Sequence, residues 1–144
     1  MNKVWKILQS KGGRTWSVAP EANVQEALTV MAEHGIGSVL VMEGERLAGI
    51  LTERDFARKL GVQGRAPSAV TVREVMTADL ITVTPGQSVN ECMAIMTEKR
   101  IRHLPVVEDG RLVGLVSIGD VVKDIIEELQ FMLRQMESYV SGLR

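Results

Sequence analysis

Two segments of this chain have residue types and spacing that could do chemistry, and they share one form. They are Gly49-Ile50-Leu51-Thr52-Glu53-Arg54-Asp55 and Gly114-Leu115-Val116-Ser117-Ile118-Gly119-Asp120. A hydroxyl residue followed three positions later by an acid, at the start of a helical pattern, is a capping box. Thr52 and Ser117 then satisfy free helix N–H groups, and Asp55 and Asp120 offset the positive end of the helix dipole. The same geometry also suits a ligand. A helix N-terminus accommodates an anion, and a hydroxyl there can join the phosphate contacts. A carboxylate one turn on can accept hydrogen bonds from the vicinal hydroxyls of a ribose. Gly49 and Gly114 would let a backbone or a base approach closely. The residues alone leave both readings open.

Other reactive residue types form no constellation. Cys92 falls on an apolar helical stripe and reads as a small core residue. His34 and His103 are not at metal-ligand spacing and have no evident third ligand. No nucleophile–base pair is apparent, so no enzymatic activity and no catalytic cofactor are expected.

The elements that must position the two junctions are themselves duplicated. Shifting the chain by 65 residues aligns the segments without a gap, and 13 of the 43 positions from 16 to 58 are identical. Each copy reads as strand, helix, strand, strand, helix. In the first, a strand at Trp16-Ser17-Val18 ends at Pro20 and Asn23 caps a helix carrying Val24, Ala27, Leu28 and Met31, which Gly35 stops. Two strands then flank Glu43-Gly44-Glu45, and a second helix runs from Asp55 to about Leu60. In the second copy Ser88 is the cap, and the hairpin turns at Glu108-Asp109-Gly110. A short helical turn precedes each copy, Val4–Leu8 and Val72–Met76.

These boundaries give a first repeat over 1–60, a linker over 61–71, a second repeat over 72–126 and an extension over 127–144. The extension continues the last helix to about Ser141. Val122, Ile125, Leu129, Met132, Met136 and Tyr139 recur along it at alternating spacings of 3 and 4, the pattern of a helix–helix seam. A seam that overhangs a small domain predicts a homodimer.

Composition narrows the partners. Seventeen Lys and Arg against eighteen Asp and Glu leave a formal net charge of −1, which argues against nucleic acid as a general partner. Aromatics are 3% of residues, too few for base-stacking platforms. No apolar run is long enough for a membrane span or signal peptide, so a cytoplasmic location is expected.

The paired G-h-h-[ST]-x-x-D junctions, the Pro ending each first strand and the segment Arg100-Ile101-Arg102-His103-Leu104-Pro105-Val106 resemble the CBS-domain family, named after cystathionine β-synthase. The likeness extends over residues 4 to 126. It is strongest to small stand-alone bacterial pairs, or Bateman modules, with Thr-Glu-Arg-Asp in the first repeat and Ser-Ile-Gly-Asp-Val-Val in the second. The resemblance implies an α/β fold: two pseudo-twofold-related β-α-β-β-α repeats packed as one disc-like module, followed here by a long C-terminal helix.

It also implies an adenine nucleotide (AMP, NAD or ATP) in the cleft between repeats and a regulatory role in signal transduction. Carried over, Asp55 and Asp120 would hold ribose, and Thr52 and Ser117 would contact phosphate or ribose. Ile36, Gly37, Ser38, Ile101, Arg102, His103, Ser17, Val18, Thr82 and Val83 would wall the base or reach the phosphates, joined by Arg54. Leu40 stands where the second copy has Pro105, a departure from the pattern. Because Arg54 aligns with Gly119, and Gly37-Ser38 with Arg102-His103, the two sites should differ. The regulated partner is unknown. The competing reading is an interaction adaptor with empty or vestigial clefts.

Overall fold

The computed structural model describes residues 2–142, so Met1, Leu143 and Arg144, at the ends of the division above, lie outside the described residues. In chain order the elements are α1 (Val4–Lys11), β1 (Ser17–Val18), α2 (Val24–His34), β2 (Ser38–Glu43), β3 (Arg46–Thr52) and α3 (Glu53–Phe56). A π-helical turn (Ala57–Gly61) and a 3-10 turn (Pro67–Ala69) lead to α4 (Val72–Val75). Then follow α5 (Val89–Lys99), β4 (His103–Glu108), β5 (Arg111–Ser117) and α6 (Ile118–Gly142). The chain forms two compact units: residues 14–81 with 109–112, and residues 1–13, 82–108 and 113–144.

The unit of the first repeat carries the sheet β1-β2-β3, with β1 parallel and β3 antiparallel to β2. The Asn23 side chain accepts from Glu26 N–H at 2.9 Å and Gly35 closes α2 in the left-handed region, as the cap residues dictate. Val18, Val24, Ala27, Met31, Val39, Val41 and Leu51 pack in its core with Leu60, Val72 and Val75.

The unit of the second repeat repeats the plan with one change. Its first strand shrinks to a single parallel bridge, Val83 to Val106, beside the β4-β5 hairpin. Ser88 caps α5 by accepting from Glu91 N–H at 3.0 Å. Arg100 stands where the first copy has Gly35, and takes the same left-handed conformation at φ 55°. Val4, Ile7, Val83, Val89, Cys92, Met96, Leu104, Val106 and Val121 are buried here.

The opening helices are exchanged relative to sequence order. Grouping the first turn with residues 1–60 follows the chain, yet residues 1–13 belong to the second repeat's unit and α4 to the first's. Matching backbone bonds hold each in place. Val4 N–H donates to Gln87 O at 2.9 Å and Trp5 N–H to Pro85 O at 3.0 Å. Val72 N–H donates to Ala22 O at 2.8 Å and Arg73 N–H to Pro20 O at 2.9 Å. The Pro-ended strands thus supply, in both copies, the carbonyls that anchor a helix start. The helix α1 also extends to Lys11, three residues past the expected turn.

Candidate functional site

Both junctions fold as capping boxes. In the first, Asp55 N–H donates to Thr52 Oγ1 and Thr52 N–H to Asp55 Oδ2, each at 3.1 Å. In the second, Asp120 N–H donates to Ser117 Oγ at 3.2 Å and Ser117 N–H to Asp120 Oδ2 at 2.9 Å. The first residue of each helix makes one further bond: Glu53 N–H to Gly37 O at 3.1 Å, and Ile118 N–H to Arg102 O at 2.9 Å. Gly37 and Arg102 are therefore brought beside the helix starts, as are Ser38, which pairs with Thr52 across β2-β3, and His103, which opens β4.

The remaining residues of the expected site occupy other positions in the two units. Val18 and Val83 are 8% and 1% exposed and belong to the core. Ser17 pairs with Leu40, two positions beyond Ser38 along β2. Thr82 precedes the Val83 bridge and lies in no strand. Ile36 and Ile101 close the turns after α2 and α5, each donating its N–H to a methionine carbonyl, Met31 and Met96. Arg54 sits in the first turn of α3.

The two carboxylates differ in what they have left to offer. Asp55 is 12% exposed and all its acceptor capacity is engaged. Its Oδ2 takes Thr52 N–H and Thr52 Oγ1–H at 3.1 Å, while Oδ1 takes Thr77 Oγ1–H and the Lys59 ammonium at 3.2 Å. Thr77 is itself tied to Ile50 by reciprocal backbone bonds of 3.0 and 2.8 Å. Asp55 is thus a strut joining α3 to the segment after α4. Asp120 is 23% exposed. Its contacts from Ser117 N–H and from Lys11 Nζ, at 2.7 Å, both go to Oδ2. Among the described residues Oδ1 has acceptor capacity left.

The helices behind the junctions differ too. The four residues of α3 pass into the π-helical turn, whereas α6 runs 25 residues and presents a fully developed positive end at Ser117–Asp120. Burial works to raise the Asp120 carboxyl, but the Lys11 hydrogen bond, the Ser117 N–H and the Lys11 charge outweigh it and hold the group below the usual aspartate range. His103 is pushed the other way. Burial, with the charges of Lys11 and Arg102, lowers it below the usual imidazole value against the pull of Asp120. It stands here as a neutral imidazole at pH 7.

A group depressed in the folded state contributes stability that is full above its unfolded value, about 3.9, and is lost as pH falls through the folded one. Thermal melting between pH 6 and pH 3 is therefore expected to fall less steeply for Asp120→Asn than for the unaltered chain. Parallel curves would show that Asp120 takes no part in acid unfolding.

Lys11, Lys59 and Thr77 are contacts that sequence reasoning missed. Only Lys59 carried a signal, as the i+4 partner of Asp55 on a helix. Also unforeseen is a stack in the first unit, with Trp16 against His34 at 3.5 Å and the Arg14 guanidinium 5.4 Å from the Trp16 ring centre. Cys92 is buried, and desolvation with the Glu91 charge raises its thiol to about 11, so it is inert at neutral pH. Among the described residues no three His, Cys, Asp or Glu are placed to hold a metal ion, and no helix is long and apolar enough to cross a membrane.

Comparison with known proteins decides the family. The CBS domain model matches residues 15–62 and 72–127. The chain belongs to the CBS-domain family. The chain is 39% identical over 145 aligned positions to the CBS domain-containing protein CBSX3, mitochondrial, of Arabidopsis thaliana, covering 94% of this chain and 70% of that one. A CBS-domain protein from Burkholderia ambifaria MC40-6 has a solved structure 48% identical, with a TM-score of 0.85 over 88% of this chain and 95% of that one. The CBS domain pair of protein MJ0100, solved with 5-methylthioadenosine and S-adenosyl-L-methionine, is 25% identical at a TM-score of 0.78, covering 89% and 98%. The pair of CBS repeats, the mixed α/β fold and the long terminal helix all agree with the expectation from sequence.

Proposed function

We propose that this CBS pair is a non-catalytic regulatory module that binds an adenine nucleotide and works as a homodimer. One observation carries the reading. The Ser117–Asp120 junction heads a long helix with a backbone-anchored carboxylate that keeps an oxygen open, in a family with a member solved with two adenosine compounds. Asp120 is the ribose grip in this reading. Ser117 and the neighbouring Arg102 and His103 lie on the phosphate or base side. A ligand regulates only if it prefers one arrangement of the protein over another, and α6 is the element that passes that preference to a partner. The cytoplasmic location read from the sequence stands as a proposal, beside a relative named as mitochondrial.

A thermal-shift series with AMP, ADP, ATP, NAD and S-adenosylmethionine tests the binding claim. A ligand at about 100 times its Kd adds roughly 2.7 kcal/mol of stability, a shift of several degrees for a chain this size. No shift with any of the five at millimolar concentration would sink the nucleotide reading. The adaptor reading would then stand, supported by the exposed apolar face of α6.

A further inference from the structure

The lysine that meets Asp120 comes from outside the repeat motif. Lys11 closes α1, and its ammonium donates to Leu115 O at 3.0 Å and to Asp120 Oδ2 at 2.7 Å. An ammonium has three donors, and this side chain is 36% exposed. One N–H therefore remains for a further acceptor, next to the open Oδ1 of Asp120. Beside the pair lies a cavity of about 100 Å³, where Lys6, Lys11 and Lys123 face Asp120, Asp124 and Glu127. Asp124 is already committed, since Asn2 Nδ2 donates to both of its oxygens at 3.1 Å.

A lining of both signs suits neither a bare anion nor a neutral sugar. It fits a group carrying anionic oxygens for the lysines and hydroxyl donors for the carboxylates. The volume is roughly that of three waters. That admits one phosphate-sized group, with the sugar at the rim against Asp120 and the base outside. The Asp55 junction offers no equivalent, because Thr52, Lys59 and Thr77 fill both oxygens of the carboxylate from within its own unit.

We propose that Lys11 is a binding residue that reads the phosphate of the nucleotide whose ribose Asp120 holds. The Lys11–Asp120 pair then makes one site per chain and selects nucleoside phosphates over nucleosides. This rests on the adenine-nucleotide reading above and adds a residue, a charge preference and a stoichiometry to it.

Isothermal titration of the full chain with AMP and with adenosine tests it. Lys11→Met should weaken AMP about tenfold, the usual weight of one charge-assisted hydrogen bond, and adenosine by less than about twofold. Lys11→Arg should recover most of the AMP affinity. Asp55→Asn should leave AMP binding at one per chain while lowering the melting temperature. Equal loss of both ligands in Lys11→Met would make Lys11 only a prop for Asp120. Tighter AMP binding would make it a plug. Two AMP per chain in the unaltered protein would refute the single site. Each of these overturns the Lys11 proposal and leaves the nucleotide reading intact. An unaltered chain that binds neither AMP nor any other adenylate overturns both.

Discussion

Gly49→Ala is expected to lose about 3 kcal/mol of stability, at the upper end of what overpacking costs, while Gly114→Ala loses about 1 kcal/mol. The two glycines occupy the same place in their repeats, so the contrast isolates what each one touches. A Cβ on Gly49 would lie 2.8 Å from both Met76 Sδ and Thr77 O. Thr77 is held by its two backbone bonds to Ile50 and by its hydroxyl on Asp55, so the carbonyl cannot retreat without breaking the strut. A Cβ on Gly114 would lie 2.5 Å from Leu8 Cδ2, the end of a flexible side chain that can change rotamer. Thermal melting reads the difference, at about 2–4 °C per kcal/mol for a chain near this length. Equal losses would mean that the segment after α4 yields as easily as Leu8. The motif glycines thus make room for the opening helices. A base approaching closely, the other use the sequence allowed, is not needed to explain them.

Ending the chain after Glu127 is expected to halve its mass in solution. In α6 only Val121 and Asp124 are fully buried against their own unit. Leu129, Met136 and Tyr139 are 54%, 64% and 70% exposed, and Ile126, Met132, Leu133 and Val140 are about half exposed or more. Val122, Leu129, Met132, Met136 and Tyr139 follow the seam spacing with Ile125, and Ile126, Leu133 and Val140 widen it to a third row. A stripe that broad is more than a soluble monomer ordinarily leaves open. It supplies on the order of the 800 Å² per partner that a standard interface buries. A second copy of the chain fits, because residues 129–142 carry only Arg134 and Glu137 as charges to oppose self-pairing. Light scattering on the full and shortened chains decides it. A dimer mass in both would move the interface away from α6.

What the sequence determined was everything that repeats locally. The caps at Asn23 and Ser88, the hairpins, the two Thr/Ser-x-x-Asp boxes and the reach of α6 were all legible. Each depends on hydrogen bonds or side-chain periodicity within a few residues, and those are written in order along the chain. The duplication itself pointed to the family. Left-handed Arg100 was not legible, because nothing in its type distinguishes it from a residue with ordinary dihedrals.

Tertiary structure alone decided how the two junctions differ. Asp55 and Asp120 are the same letter in the same motif, and their difference arises from Thr77 and Lys11, 22 and 109 positions away. Those partners arrive because the opening helices are exchanged between units, an arrangement that chain order hides. One carboxylate is filled by its neighbours and becomes a strut. Among the described residues the other is met by a single lysine and keeps an oxygen open, since the hydrogen-bonding capacity a side chain has left is set by what packs against it.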